Sequence, residues 1–140
     1  MTEETKASAQ ARLDELRERV RGIASTLPDV VWSVAVPSHK INYVSPAAEA
    51  VFGKTDEQMS TSFSEWSDLL HPDDRSRVLE KWEHATQGAP FEAEYRIVTP
   101  QGAVRWIQTK GRSATDKSGA VVRIDGMARD VTHRREQEER

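Results

Sequence analysis

No cysteine occurs among the 140 residues, so a structural disulfide, a thiolate nucleophile and a sulfur-ligated zinc site are all excluded. Charge of one sign is lacking too. Twenty basic residues stand against twenty-three acidic ones, a net charge of −3, and nothing in that balance asks for nucleic acid as a partner. No apolar run reaches eighteen residues and no signal-peptide core opens the chain, so a segment without membrane contact, working in the cytoplasm, is expected. The length suits one domain with a single core.

What is present is clearest in residues 91–128. In Phe91-Glu92-Ala93-Glu94-Tyr95-Arg96-Ile97 the apolar side chains alternate with charged ones, the pattern of a strand with one buried face. Thr99-Pro100-Gln101-Gly102 then turns the chain, with proline's fixed φ at the second position and glycine, able to take positive φ, at the fourth. A second strand runs over 104–112 to another turn, Asp116-Lys117-Ser118-Gly119. A third covers 121–128, with Val122, Ile124, Gly126 and Ala128 on its apolar face. The expectation is an antiparallel meander with one apolar and one charged face.

Four short motifs in this order resemble a known family. Asn42-Tyr43-Val44-Ser45-Pro46-Ala47-x-Glu49 and Trp66-x-x-Leu69-Leu70-His71-Pro72-Asp73-Asp74-Arg75 precede the meander. Phe91-Glu92-x-Glu94-Tyr95-Arg96 with Gly102-x-Val104-Arg105-Trp106, and Gly126-x-x-Arg129-Asp130-Val131-Thr132, lie within and after it. Together they are similar to the PAS domains of bacterial sensor proteins, over roughly residues 28–132. The resemblance implies an α+β fold: a five-stranded antiparallel sheet with short helices and one longer helix on one face. Lacking cysteine, the chain departs from the light-sensing PAS subclasses that attach flavin or coumarate to that residue.

From the N-terminus, a polar, frayed start gives way to Leu13, Leu16, Val20, Ile23 and Leu27, an apolar seam at helical spacing within residues 1–27. A parallel coiled coil on this seam would oppose Arg12 to Arg17 of its partner, and Gly22 weakens the helix by about 1 kcal/mol relative to alanine. The seam is therefore expected to lie on the outer face of a sheet, its own or a partner's. Pro28 ends the helix. Val30 to Val36 reads as a central strand and Ile41 to Ser45 as its neighbour, with Ser45 as N-cap and Pro46 as first residue of a short helix. Short helices are also expected near Thr55 and over 66–70. His71-Pro72-Asp73-Asp74 opens the longest core helix, with proline at N1 and two carboxylates in the first turn.

The candidate chemistry is sparse. His71, Asp73 and Asp74 serve a helix start better than a metal. His84 falls on the order of 150° from the Val78, Trp82, Ala85 stripe, the solvent side, which argues against its ligating haem. His39 sits in a turn. Trp32 and Trp82 are expected between helices and sheet, where PAS domains bind ligands. Two indoles there argue for a filled core, whereas Ala93, Gly126 and Ala128 argue for room opposite them. Any ligand is expected to touch Trp32, Tyr43, Phe52, Trp82, Tyr95 and Gly126, and the filled core is preferred, without a cofactor. Trp66 and Trp106 belong to the family pattern and read as scaffold.

On the charged face, Glu92, Glu94 and Arg96 are expected to pair across strands with Arg105, Arg123, Asp125 and Arg129. Val104 and Trp106 share one face of the middle strand and Ile107 takes the other, and with Leu13, Leu16, Val20 and Ile23 they mark the expected dimer or helix-docking surface. In PAS proteins Asp130, Val131 and Thr132 couple the sheet to a signalling helix, here starting over 133–140, and Asp130 or Thr132 is expected to cap it. The resulting expectation is a non-enzymatic sensory or relay domain, homodimeric, in a larger signalling protein of the histidine kinase or diguanylate cyclase type. The alternatives are a haem- or small-ligand-binding sensor and a protein-interaction adaptor.

Overall fold

The computed structural model describes residues 3–139, with side chains from residue 5, and gives the expected α+β architecture. Five antiparallel strands form one sheet in the order β2-β1-β5-β4-β3. They are β1 (Val30–Ala35), β2 (Ile41–Val44), β3 (Phe91–Val98), β4 (Val104–Thr115) and β5 (Val121–Asp130). Between β2 and β3 run α2 (Ala48–Phe52), α3 (Asp56–Met59), α4 (Ser64–Ser67) and the longer α5 (Pro72–Thr86), while α1 (Glu3–Ala24) and α6 (Thr132–Glu138) flank the sheet in sequence.

The period-two reading of β3 holds: Phe91, Ala93, Tyr95 and Ile97 are buried and join Ile107, Ile124 and Ala128 in the core. Gly102 and Gly119 take φ of 89° and 90° in the two hairpin turns, the left-handed values that glycine tolerates. One bulge alters the pattern in β5. Thr115 pairs with Val121 but Ala114 with Arg123, so Val122 is the extra residue. The consequence is that Val121 packs against the core and Val122 is left exposed, the reverse of the alternation expected from sequence.

β3 lies at the sheet edge, and the helical layer satisfies its outward backbone groups. His71 N–H donates to Arg96 O, Val98 N–H to Leu69 O, and the Arg77 and Lys81 side chains donate to Glu94 O and Glu92 O. α5 begins as its sequence suggests. His71 Nδ1 accepts the N–H of Asp73 at 3.1 Å, Pro72 stands at the first turn, and Val78, Trp82 and Ala85 face inward.

The N-terminal region differs from expectation in two respects. Residues 3–10 are helical rather than frayed, Met1 and Thr2 lying outside the described residues, and the helix closes at Ala24, short of Pro28. The seam does not rest on the chain's own sheet: Leu16 is 55% and Ile23 68% exposed, and Leu13, Val20 and Leu27 are exposed as well. The base is tied down by burial of Ala24 and a 2.9 Å Arg21–Asp56 ion pair to α3. Ser45 is not a cap either. Its hydroxyl accepts the N–H of Val31 at 2.8 Å, while Ala47, without a capping side chain, precedes α2.

Candidate functional site

The space between helices and sheet is aromatic. Trp32 from β1, Phe63 before α4, Trp66 from α4, Trp82 from α5, and Phe91 and Tyr95 from β3 line a cavity of about 50 Å³, together with Val30, Val34, Ile41, Val44, Phe52, Met59, Thr109 and Ala128. That volume holds one or two waters' worth of matter. The rings lock edge to face: Trp82 and Phe91 meet at a centroid distance of 5.4 Å and 86°, Trp66 and Tyr95 at 6.0 Å and 80°.

Trp32 takes the room that Gly126 seemed to leave. It pairs in register with Gly126, which pairs in turn with Gly111 on β4, and its indole lies across both. A Cβ on Gly126 would collide with Trp32 and with the Lys110 carbonyl, and one on Gly111 would come within 2.8 Å of the indole. Of the six expected ligand contacts, Trp32, Phe52, Trp82 and Tyr95 line the cavity. Gly126 lies beneath Trp32. Tyr43 is elsewhere: Val44 is the β2 residue opposite Trp32, so alternation turns Tyr43 to the other face, beside Arg21 and Asp56, where burial raises its phenol pKa.

Sequence reasoning missed Phe63, and it placed Trp66 only as scaffold. Trp66 Nε1 donates to Tyr95 Oη at 3.1 Å, and Tyr95 Oη shares a 2.7 Å hydrogen bond with Thr109 Oγ1. Burial pushes the Tyr95 phenol up to about 12, the two hydrogen bonds offsetting part of the shift. Trp82 Nε1 and Tyr43 Oη are buried without a hydrogen-bond partner. His39, left-handed at φ 63°, lays its ring 4.9 Å from that of Phe63 and 6.0 Å from that of Trp82. His84 is exposed on α5, turned away from the aromatic cluster.

Flavin chemistry through a cysteine adduct does not fit this site. No cysteine is present to form it. Among the described residues, no group of three or more His, Asp or Glu could hold a metal ion. Nor is any described helix long and apolar enough to cross a membrane.

The charged groups expected to pair across the sheet mostly find partners off it. Asp74 of α5 takes Arg96 in a bidentate pair of 3.0 and 2.9 Å and accepts the Arg96 backbone N–H at 2.8 Å. Those hydrogen bonds outweigh burial and hold the Asp74 carboxyl down at about 2. Arg105 points to the helical side, where it donates to the Ala50 and Val51 carbonyls at the end of α2. Arg129 pairs with Asp29 at 3.0 Å, and Arg123 with Asp125 two residues along its own strand. Arg105→Ala is expected to lower stability by about 1 kcal/mol in a denaturant titration, the scale of a lost helix-end hydrogen bond.

At the C-terminal end, Trp106 N–H donates to Thr132 Oγ1 at 2.9 Å and Val131 N–H to Trp106 O at 2.8 Å. Asp130 Oδ1 accepts both the N–H and the hydroxyl of Thr132. Neither Asp130 nor Thr132 occupies the N-cap, which is Val131, buried and without a capping side chain. The three residues therefore tie the end of β5 and the first residue of α6 to the start of β4. Trp106 is half-buried beneath α6, whereas Val104 stays 52% exposed.

Comparison with known proteins agrees with this architecture. The PAS fold family matches residues 41–128, more than half of the chain. A blue-light-activated histidine kinase of Brucella ovis is 33% identical over 94 residues, which are 67% of this chain but 18% of the kinase. A sensory box histidine kinase/response regulator from Burkholderia thailandensis superposes with a TM-score of 0.68 at 28% identity, covering 86% of this chain and 90% of that one. The N-terminal domain of a diguanylate cyclase with PAS/PAC sensor from Marinobacter aquaeolei reaches a TM-score of 0.71 at 24% identity, over 76% of this chain and 98% of that one. The chain belongs to the PAS fold family, as a sensory and non-catalytic domain.

Proposed function

We propose that residues 28–132 act as a signal-relay PAS domain within a larger cytoplasmic signalling protein, forming a homodimer and passing a conformational change to an output domain of the histidine kinase or diguanylate cyclase type. The observation that carries this reading is the bare seam of α1. Four apolar side chains stand exposed on one helix, with Leu27 exposed just beyond it, while the aromatic core beneath the sheet is nearly full. Such a helix calls for a partner surface, and the outer sheet face of a second copy, where Val104 stands exposed, supplies one. In this reading Asp130, Val131 and Thr132 transmit sheet movement to α6, and α1 brings the signal in. The other reading, a small-ligand sensor, draws on the unpartnered Trp82 Nε1 in a core that would have to open.

Native mass spectrometry of the protein as purified separates the two. A dimer without added mass supports the relay; a retained ligand supports the sensor. Leu16→Asp removes about 1.5 to 3 kcal/mol of burial from each copy, so it is expected to weaken the dimer on the order of 100-fold or more and leave the thermal midpoint of the monomer unchanged. A dimer that survives Leu16→Asp would place the interface elsewhere.

A further inference from the structure

A cluster on the outer face of the sheet joins α5 to α6 by side chains that Asp130, Val131 and Thr132 do not include. Its centre is Trp106 on β4. The Arg135 guanidinium of α6 lies 3.8 Å from the Trp106 ring centroid, and the Arg96 guanidinium of β3 lies 5.3 Å from it. Glu94, two residues before Arg96, holds Arg134 at 2.8 Å and Arg135 at 3.3 Å. Arg96 is held from its other side by Asp74 of α5. Two cations therefore share one indole: Arg96 reports the position of the helical layer, and Arg135 that of the exit helix.

We propose that Glu94, Trp106 and Arg135 form a clamp that sets the direction of α6, and that Asp74 and Arg96 make the clamp sensitive to α5. Like charges on one ring oppose each other. Asp74 draws Arg96 toward α5, and this relieves the repulsion and leaves the indole to Arg135. A shift of α5 that releases Arg96 lets its guanidinium move closer over Trp106 and loosens Arg135, so α6 swings about Thr132. Guanidinium suits the role because it stays charged at every physiological pH and stacks flat on a ring. The proposal rests on the relay reading above and supplies a route for it from the helical layer. Asp74, Arg96 and Glu94 are positioning residues in this scheme.

The test is proton NMR of the whole chain with labelled arginine. Protons over an indole face are displaced upfield, so the Arg135 side-chain resonances report the stack directly. Glu94→Gln is expected to reduce the Arg135 displacement by half or more, with Glu92→Gln on the same strand as an unaffected control. Asp74→Asn is expected to reduce it as well, from the opposite side of Trp106. Should Asp74→Asn fail to fold, Arg96→Lys is the second variant: it keeps the charge, loses the bidentate grip and is expected to give the same reduction. An Arg135 that responds to Glu94→Gln but not to Asp74→Asn or Arg96→Lys overturns the coupling. Unshifted Arg135 resonances in the unaltered chain overturn the clamp itself. A monomer whose Arg135 still follows Asp74 would count against the relay reading and leave the clamp standing.

Discussion

Gly126→Ala is expected to destabilise the protein by about 3 kcal/mol or more and to lower the thermal midpoint by about 10 °C or more. The reason is a collision with two neighbours at once. The new Cβ would meet the Trp32 indole and the backbone carbonyl of Lys110, and a carbonyl inside a paired strand cannot move without breaking the ladder. Backbone conformation is not the cause, since Gly126 has no positive φ. Relief should therefore come from the other partner. In a Trp32→Ala background the same substitution is expected to cost markedly less, and a double-mutant cycle measures the coupling between the two positions. A loss under about 1 kcal/mol for Gly126→Ala in the native background would show that Trp32 does not lie across these strands. A consequence for the cavity follows from the same geometry, because the indole fills part of the space between helices and sheet. A Trp32→Ala chain is expected to enlarge the cavity and to take up small aromatic molecules that the parent chain excludes, as an empty apolar site does.

Asp74→Asn is expected to cost about 2 to 3 kcal/mol, because it removes the carboxylate charge that holds Arg96 and leaves one oxygen where two accept from the Arg96 side chain and backbone N–H. Acid should have a related effect on the parent chain. Asp74 is nearly buried, and its carboxyl is held at about 2, below the value near 4 of an unfolded chain. Its contribution is therefore fully present above pH 4 and is lost as pH falls toward 2, through the folded value. A displacement of that size corresponds to about 2 kcal/mol. Urea titrations at several pH values are expected to show the parent chain losing this amount between pH 4 and pH 2. Asp74→Asn should lack that component, so that the two stabilities converge in acid. Parallel curves would assign the acid sensitivity to other carboxylates.

Much of this architecture was legible because it is periodic. The alternation over 91–97, the stripe Val78, Trp82, Ala85 and the turns at Gly102 and Gly119 each state which way a side chain points within a few residues. Periodicity sees only its own segment. It misplaced Val122, because one bulged residue reverses the alternation on the far side, and it assigned Tyr43 to the core although Val44 is the residue opposite Trp32. Arg105 was read with the outer charges, yet it reaches across to the end of α2, 54 residues earlier in sequence.

The sequence by itself determined the elements, their order, the buried face of β3 and α5, and the membership in the PAS family, since these depend on local spacing and on short motifs. Tertiary structure decided what opposes each face. Trp32 fills the core because the register places glycines side by side on β5 and β4, and Asp74 meets Arg96 because α5 covers the sheet edge. Trp106 carries a cation from each of two elements distant in sequence. Such pairings follow from strand register and helix placement, which no pattern within one segment encodes. The bare seam of α1 was legible as a surface in need of a partner, but only the folded chain showed that its own sheet does not provide one.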